Sequence, residues 1–225
     1  MGIFDKLFGK KQTQNKNITS PVKIDPTPDI PLPFTHNNAW YAIKDETPQT
    51  VTEKLCLEIV CESNWKTGLE HIYYSDDVFV SPNLNGYIFV IGLIGMSRNA
   101  DHDIVREHSR LFNEFLYFGN HSVADYYSWA KFKNGNMIRA YAYIGDGDEL
   151  FWNEGEMTSE EIALGFDRFP KLPVSEDSTE DGADAAIPDE SSIIDIAGAW
   201  SINHIFEESD YEKSTGYICK FNRRF

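Results

Sequence analysis

The stretch spanning residues 122–152 constrains the fold of this chain more than any other, because it contains strand-like segments separated by turn residues. Tyr126–Phe132 and Met137–Ile144 are both dense in aromatic and other β-favouring residues. Asn134-Gly135 lies between them, and Asn-Gly tolerates the positive φ angles of the type I′ turn that joins hairpin strands. The sequence therefore predicts an antiparallel hairpin here.

A second turn and a third strand extend this hairpin. Gly145-Asp146-Gly147-Asp148 turns the chain, and Glu149–Trp152 continues it. Alternation along the first strand predicts two faces: Tyr127, Trp129 and Lys131 on one, and Tyr126, Ser128, Ala130 and Phe132 on the other. Both faces are rich in apolar area. The sequence therefore predicts a three-stranded antiparallel meander that other elements cover on both sides.

Further elements are predicted around the meander. Val78–Val80 and Tyr87–Ile91 read as a second hairpin, with Asn85-Gly86 supplying its turn. Apolar periodicity and capping residues predict four helices over residues 48 to about 59, 64–74, 103–118 and 159–165, the last launched by the capping box Thr158-Ser159-Glu160-Glu161. A fifth helix, which Asp189 or Ser191 caps, is predicted to run to Trp200. A last strand over 216–221 is expected at a sheet edge. The predicted fold class is α+β, a mostly antiparallel sheet made of the hairpin and the meander, flanked by helices in a single domain.

The predicted domain occupies residues 34–225, and residues 1–33 precede it as a short amphipathic segment and a proline-rich linker. The segment places four apolar side chains on one helical face: Ile3, Phe4, Leu7 and Phe8. This face is expected to dock on a membrane surface, on a partner or on the chain itself. An acidic loop is predicted at about residues 171–190.

The charge of the chain bears on its partners. The 225 residues carry a formal net charge of −16. Residues 1–20 contribute +3 and residues 171–190 contribute −6, so the remainder carries −13. Such a field repels nucleic acid and anionic lipid and attracts basic partners, although solubility alone is the simpler reason for an acidic surface. We therefore expect a basic protein partner and no nucleic acid.

Cysteine usage and hydropathy indicate a cytoplasmic protein. Cys56, Cys61 and Cys219 are odd in number and lack C-x-x-C spacing, so neither a disulfide framework nor a zinc site is predicted. The longest apolar run, Tyr87–Met96, is shorter than the roughly 20 residues of a membrane helix. No secretory signal pattern is visible. Peripheral membrane contact through the amphipathic segment stays open.

Candidate catalytic residues are few. Of the six histidines, His102 and His108 are spaced six residues apart, which does not place both on one helical face, and His121 falls in a loop-like stretch. The acidic side chains around the second turn form the best candidate site: Asp146, Asp148, Glu149, Glu154 and Glu156. Paired carboxylates perform acid–base chemistry or bind hard cations, but this turn departs from the calcium-loop pattern. No nucleophile elbow or phosphate loop is present. The sequence thus leans against an enzyme and predicts no metal and no cofactor.

Several segments together resemble a family of uncharacterised bacterial proteins. They are SNWKTGLEHIY, VFVSPNLNGYIFVIG, the predicted long helix, FGNHSVADYYSWAKFKNGNMIRAYAYIGDGDELFWNEGEMTSEE and DIAGAWSIN, spanning about Thr47 to Asn203. Some members of that family look like immunity proteins of polymorphic toxin systems. The matching residues are turn and core residues. The resemblance therefore implies a fold and, through those members, the neutralisation of a toxin.

Three functional hypotheses follow. The first is a cytosolic immunity protein or comparable interaction module whose acidic surface covers a basic toxin domain. The second is a small-ligand-binding or hydrolytic enzyme that uses the acidic turn residues with His121. The third is a membrane-surface adaptor held by the amphipathic segment. The sequence identifies neither the partner nor the oligomeric state.

Overall fold

One antiparallel sheet organises the chain. The computed structural model describes residues 22–93, 102–122, 125–145, 149–171, 186–203, 206 and 211–222. Within them the strands are β1 (Ala39–Lys44), β2 (Leu57–Asn64), β3 (Val78–Val80), β4 (Tyr87–Ile91), β5 (Glu114–His121), β6 (Tyr126–Lys133), β7 (Asn136–Ile144), β8 (Glu149–Glu154) and β9 (Thr215–Phe221). Their order across the sheet is β2-β9-β3-β4-β1-β5-β6-β7-β8. The α+β class is confirmed, with a sheet larger than the predicted hairpin and meander.

The meander forms one end of this sheet as the sequence predicts. Trp129 pairs with Phe118 on one side and with Tyr141 on the other, and Ala142 pairs with Trp152. Asn134 has a φ of 51° and Gly135 a φ of 71°. Two consecutive positive φ angles are what a type I′ turn requires, so this turn fixes the register of β6 against β7.

Helices follow the strands that they cover. They are α1 (Pro48–Lys54), α2 (Trp65–Tyr73), α3 (His102–Ser109), α4 (Ser159–Ala163) and α5 (Glu190–Trp200), with a 3₁₀ turn over Phe166–Arg168. Thr47, Asn64, Thr158 and Asp189 cap α1, α2, α4 and α5 through their side chains. Among the described residues, no helix has the length and apolar character needed to cross a membrane.

The predicted long helix over 103–118 is wrong beyond Ser109. The helix ends there, and Glu114–His121 forms strand β5, which lies between β1 and β6. Residues 115–120 are all buried, because the two faces of β5 are both covered. A strand buried on both faces reads as a continuous apolar run, and such a run fits a helix equally well.

The strands β1 and β2 were not predicted. The helix expected to run to about residue 59 ends at Lys54, and Leu57–Asn64 forms β2 at one sheet edge. Cys56 has a φ of 53° and redirects the chain between the two elements. A bulge between Ile59 and Cys61 interrupts the alternation of β2, so three consecutive residues, 58–60, are exposed. The period-2 pattern that identifies a strand is therefore missing from this sequence.

Two apolar cores lie on opposite faces of the sheet. Helices α1 and α3 cover the first face and α2, α5 and the 3₁₀ turn cover the second. The large buried side chains of the first core include Tyr41, Phe115, Tyr117, Phe132 and Trp152, and those of the second include Trp40, Trp65, Phe118, Trp129, Tyr141 and Trp200. Four tryptophans, Trp65, Trp129, Trp152 and Trp200, are buried in these cores.

Residues 22–34 lie against the domain. The Asp29 carboxylate accepts hydrogen bonds from the backbone N–H groups of Trp65 (2.7 Å) and Lys66 (3.0 Å) at the start of α2. Phe34 is buried and packs edge-on against Trp40. The predicted amphipathic segment lies outside the described residues, as do residues 172–185 of the predicted acidic loop.

His108 on α3 provides a test of the first core. It is 6% exposed, and its Nδ1 lies 3.0 Å from the hydroxyl of Tyr41 in a hydrogen bond. Burial lowers the pKa of His108 to about 4. The unfolded chain therefore protonates His108 at a higher pH than the folded chain does. As a result, the free energy of unfolding should fall by up to about 3 kcal/mol as the pH drops from about 6.5 to about 4.

Urea denaturation at several pH values measures this effect. We expect His108→Gln to lose that part of the pH dependence, and the exposed control His36→Gln to keep it. Equal pH dependence in wild type and His108→Gln would show that His108 does not resist protonation in the folded state.

Candidate functional site

The structure separates the predicted acidic residues along strand β8. Glu149 pairs with Ile144 at one end, and Glu154 pairs with Ala140 at the other. Five residues of strand span about 16 Å. Asp146, Asp148 and the side chain of Glu149 lie outside what the structure describes. Of the predicted site, Glu154 therefore lies about one strand length from the backbone of Glu149.

Glu154 has a local structural role. Its Oε1 accepts hydrogen bonds from Arg106 Nη2 (2.5 Å) and from Trp152 Nε1 (2.9 Å). Arg106 also lies over the Trp152 ring, with its Cζ 5.2 Å from the ring centroid. Glu154 thus connects α3 to β8, on the face of the sheet that carries the first core.

A buried ion pair lies on the opposite face of the same strands. Arg139 on β7 is 2% exposed and Glu161 on α4 is fully buried. Arg139 Nε donates to Glu161 Oε1 (2.9 Å) and Oε2 (3.2 Å). Oε1 also accepts from Trp129 Nε1 (2.8 Å), and Oε2 accepts from the backbone N–H of Thr158 (2.8 Å). The carboxylate therefore has at least two partners on each oxygen.

The guanidinium of Arg139 is held on a second side as well. Its Nη1 donates to Asn153 Oδ1 (2.7 Å) and to the carbonyl oxygens of Ala140, Glu154 and Gly155 at 3.1–3.3 Å. Gly155 has a φ of 77°, and a Cβ there would lie 2.1 Å from the Ile138 carbonyl oxygen. Only glycine allows the chain to pass this close and present its carbonyl to Arg139.

Arg139 also lines an open cavity of about 240 Å³. The other lining residues come from β6, β7, β8 and the segment that follows: Trp129, Tyr141, Asn153, Gly155, Glu156, Met157, Phe166, Phe169, Pro170 and Lys171. We call this cavity the Arg139 pocket. Four aromatic rings and a methionine give it apolar walls, and Glu156 and Lys171 are exposed beside it. It is a concave site whose accessible lining is divided about equally between polar and apolar surface.

A separate acidic group lies at the other end of the meander. Asp125 and Asp189 are exposed, Glu190 is half-buried, and all three act on the hydroxyl of Tyr127. Burial, followed by the charges of Asp125 and Asp189, raises the pKa of Tyr127. We call Asp125, Asp189 and Glu190 the acidic end.

Gly145, at the end of β7, also lies here, because its N–H donates to the Asp125 carbonyl at 3.0 Å. His121 pairs with Tyr126 across β5 and β6, so it also lies here. Glu154 lies at the far end of β8, so the structure does not bring it to His121 as the enzyme hypothesis needs. Among the described residues, no three His, Cys, Asp or Glu side chains group as metal ligands do.

Comparison with protein-family models, with curated proteins and with solved structures found no match to this chain. We therefore infer the function from the geometry of the chain itself.

Sequence reasoning missed both Arg139 and Glu161. Arg139 occurs in MIRAYAYI, where alternation places it on the same face as Tyr141 and Tyr143. A lone arginine on an otherwise aromatic strand face indicates a buried cation in need of a partner. Glu161 was predicted as the third helical residue of a capping box, and this is confirmed. Because the capping box accounts for a glutamate at this position, the sequence offers no reason to expect that Glu161 also pairs with Arg139.

The ion pair predicts a large difference between two glutamate substitutions. Glu161→Gln leaves the buried guanidinium uncompensated and should lower the free energy of unfolding by about 3–5 kcal/mol. Glu46 pairs with Lys54, whose side chain is 37% exposed, so Glu46→Gln should cost at most about 1 kcal/mol. Urea denaturation of both variants measures the difference, and a similar small loss for both would show that the buried pair contributes little.

Proposed function

We propose that this protein is an acidic interaction module that binds a basic protein partner through the acidic end. The observation that carries the proposal is the grouping of three carboxylates, those of Asp125, Asp189 and Glu190, near Tyr127, whose hydroxyl donates to Asp125 Oδ1 at 3.5 Å. Burial, followed by these negative charges, raises the pKa of Tyr127. Asp125 directly precedes β6, and Asp189 and Glu190 cap and begin α5, so the fold assembles a negative surface from distant parts of the sequence.

The composition of the chain supports the same partner chemistry. The chain without residues 1–20 and 171–190 carries −13, and Asp189 and Glu190 add to this charge, so the acidic end belongs to a chain that is acidic overall. A field of this kind accelerates association with cationic surfaces and gives specificity more than it adds affinity. The chain resembles a family of uncharacterised bacterial proteins, some of which look like immunity proteins, and this resemblance favours a toxin domain as the basic partner.

Several cations of the described structure are already paired within the chain. Lys44, Lys54, Arg106 and Lys131 lie within 4 Å of carboxylates on neighbouring elements. At the acidic end, His36 Nδ1 lies 2.9 Å from Glu190 Oε1. Lysine and arginine side chains of a partner would supply the compensation that this surface lacks.

Affinity purification of the tagged chain from its own host, at low and at moderate salt, tests for the partner. We expect one stoichiometric basic protein whose retention falls as salt rises, because exposed charges are screened within about 10 Å at 0.1 M salt. Absence of a basic partner at both salt concentrations would contradict the proposal.

The acidic end itself is tested with charge-neutral variants. The double variant Asp125→Asn, Glu190→Gln should slow association with the captured partner by about tenfold at low salt, with a smaller effect on dissociation. Asparagine suits position 125 because the residue has a φ of 45°, which asparagine tolerates. Stopped-flow or surface-based kinetics measure both rates.

The matched control removes the same charge elsewhere. Glu53 and Glu70 are exposed on α1 and α2, and the double variant Glu53→Gln, Glu70→Gln also lowers the net negative charge by two. If both double variants slow association equally, net charge drives binding and the acidic end is not the contact surface.

A further inference from the structure

Apart from the exposed Glu156 and Lys171, the polar side chains that line the Arg139 pocket are engaged with described residues, and Arg139 keeps one N–H group unused. Trp129 Nε1 donates to Glu161, the Tyr141 hydroxyl donates to the Pro170 carbonyl (3.2 Å), and Asn153 Nδ2 donates to the Lys171 carbonyl (2.9 Å). Arg139 uses Nε and Nη1 in the contacts described above, whereas its Nη2 donates to no described residue.

Nη2 nevertheless keeps a small accessible area, because it is not a fully enclosed atom although Arg139 as a residue is only 2% exposed. Arg139 is one of the residues that line the pocket, so we assign this accessible N–H group to the pocket. The pocket therefore contains a fixed, charged N–H donor whose geometry is set by the six other hydrogen bonds of the guanidinium.

The walls of the pocket favour a flat group. Trp129 and Tyr141 stack with ring centroids 4.5 Å apart and an interplanar angle of 19°. Phe166 and Phe169 lie beside them, with centroids 5.4 Å and 6.3 Å from that of Trp129. Aromatic walls prefer an aromatic ring in offset or edge contact. The volume of about 240 Å³ is below the range of drug-sized sites, which suits a single ring.

The charge balance of the pocket favours an uncharged ligand. Glu161 neutralises Arg139 at 2.9 Å, and exposed Glu156 and Lys171 carry opposite charges beside the pocket. An anionic ligand would approach the buried carboxylate of Glu161 without a net positive field to compensate. A cationic ligand would be repelled by the positive charge of the Nη2 donor. A neutral acceptor can accept the hydrogen bond of Nη2 without repulsion from Glu161 or from Arg139.

We propose that the Arg139 pocket binds a single uncharged planar ring that carries a carbonyl oxygen, the chemistry of aromatic amides and lactams. The ring packs against the aromatic walls, and the carbonyl oxygen accepts a hydrogen bond from Arg139 Nη2. The site is distinct from the acidic end and requires no protein partner.

Four one-ring compounds that differ in one substituent test this chemistry: benzamide, benzoate, benzylamine and toluene. Ligand-detected NMR titrations of the full chain measure their affinities. We expect benzamide to bind about tenfold or more tightly than toluene, because a hydrogen bond to a charged donor distinguishes the two. Benzoate and benzylamine should also bind at least about tenfold more weakly than benzamide.

A blocking variant locates the site. Because Arg139 also supports Glu161, substituting it would disturb the fold, so the variant is placed at Met157, which is half-buried at the pocket. Met157→Trp should fill the cavity and reduce benzamide affinity at least about tenfold. The control, Ile162→Trp, adds the same side chain at a residue of α4 that is 57% exposed and does not line the pocket, and it should bind benzamide like wild type.

Three results would overturn the proposal: no benzamide binding up to its solubility limit, equal affinity for benzamide and benzoate, or unchanged benzamide affinity in Met157→Trp. The titrations use the chain alone. Their outcome is therefore independent of whether a basic partner is found.

Discussion

The ion pair between Arg139 and Glu161 holds the meander end of this structure together. Burying two charges is costly, and their attraction offsets that cost only where the remaining donors and acceptors are also satisfied. Here Glu161 meets that condition with Arg139, Trp129 and the N–H of Thr158. Helix α4 has five residues, too few to be stable in isolation. One carboxylate thus caps this helix and joins it to β6 and β7, which fixes the walls of the Arg139 pocket.

Local signals in the sequence predicted the elements whose structure is decided locally. The Asn134-Gly135 turn and the capping box from Thr158 to Glu161 each depend on residues a few positions apart, and both are confirmed. Strand β5 was mistaken for the end of a helix because Phe115–Phe118 is apolar on both faces. Pairing with β1 and β6 makes this segment a strand. A continuous apolar run in the sequence does not indicate which segments will pair with it.

The candidate site, too, depends on contacts between residues that are distant in the sequence. Glu149 and Glu154 are close in the sequence, yet they begin and end strand β8 and so lie at opposite ends of it. Asp125 and Asp189 are far apart in the sequence, yet both act on Tyr127. Arg139 and Glu161 meet because β7 and α4 pack on each other. Charged residues a few positions apart on one strand are separated in space, because each strand residue advances the chain by about 3.3 Å. Sheet pairing and helix packing instead bring together charges that are distant in the sequence.

The two surfaces share β6 and β7 but depend on different physics. Tyr127 at the acidic end and Trp129 in the pocket are neighbours on one face of β6, and each pairs with a tyrosine of β7. Under our first proposal, the acidic end would bind through charges whose field is long-ranged and screened by salt. Under the second, the pocket would bind through a donor and rings that are already ordered before a ligand arrives, so that little conformational entropy would be lost on binding. Because the rings between them are packed in the second core, charge substitutions at the acidic end leave the shape of the pocket unchanged.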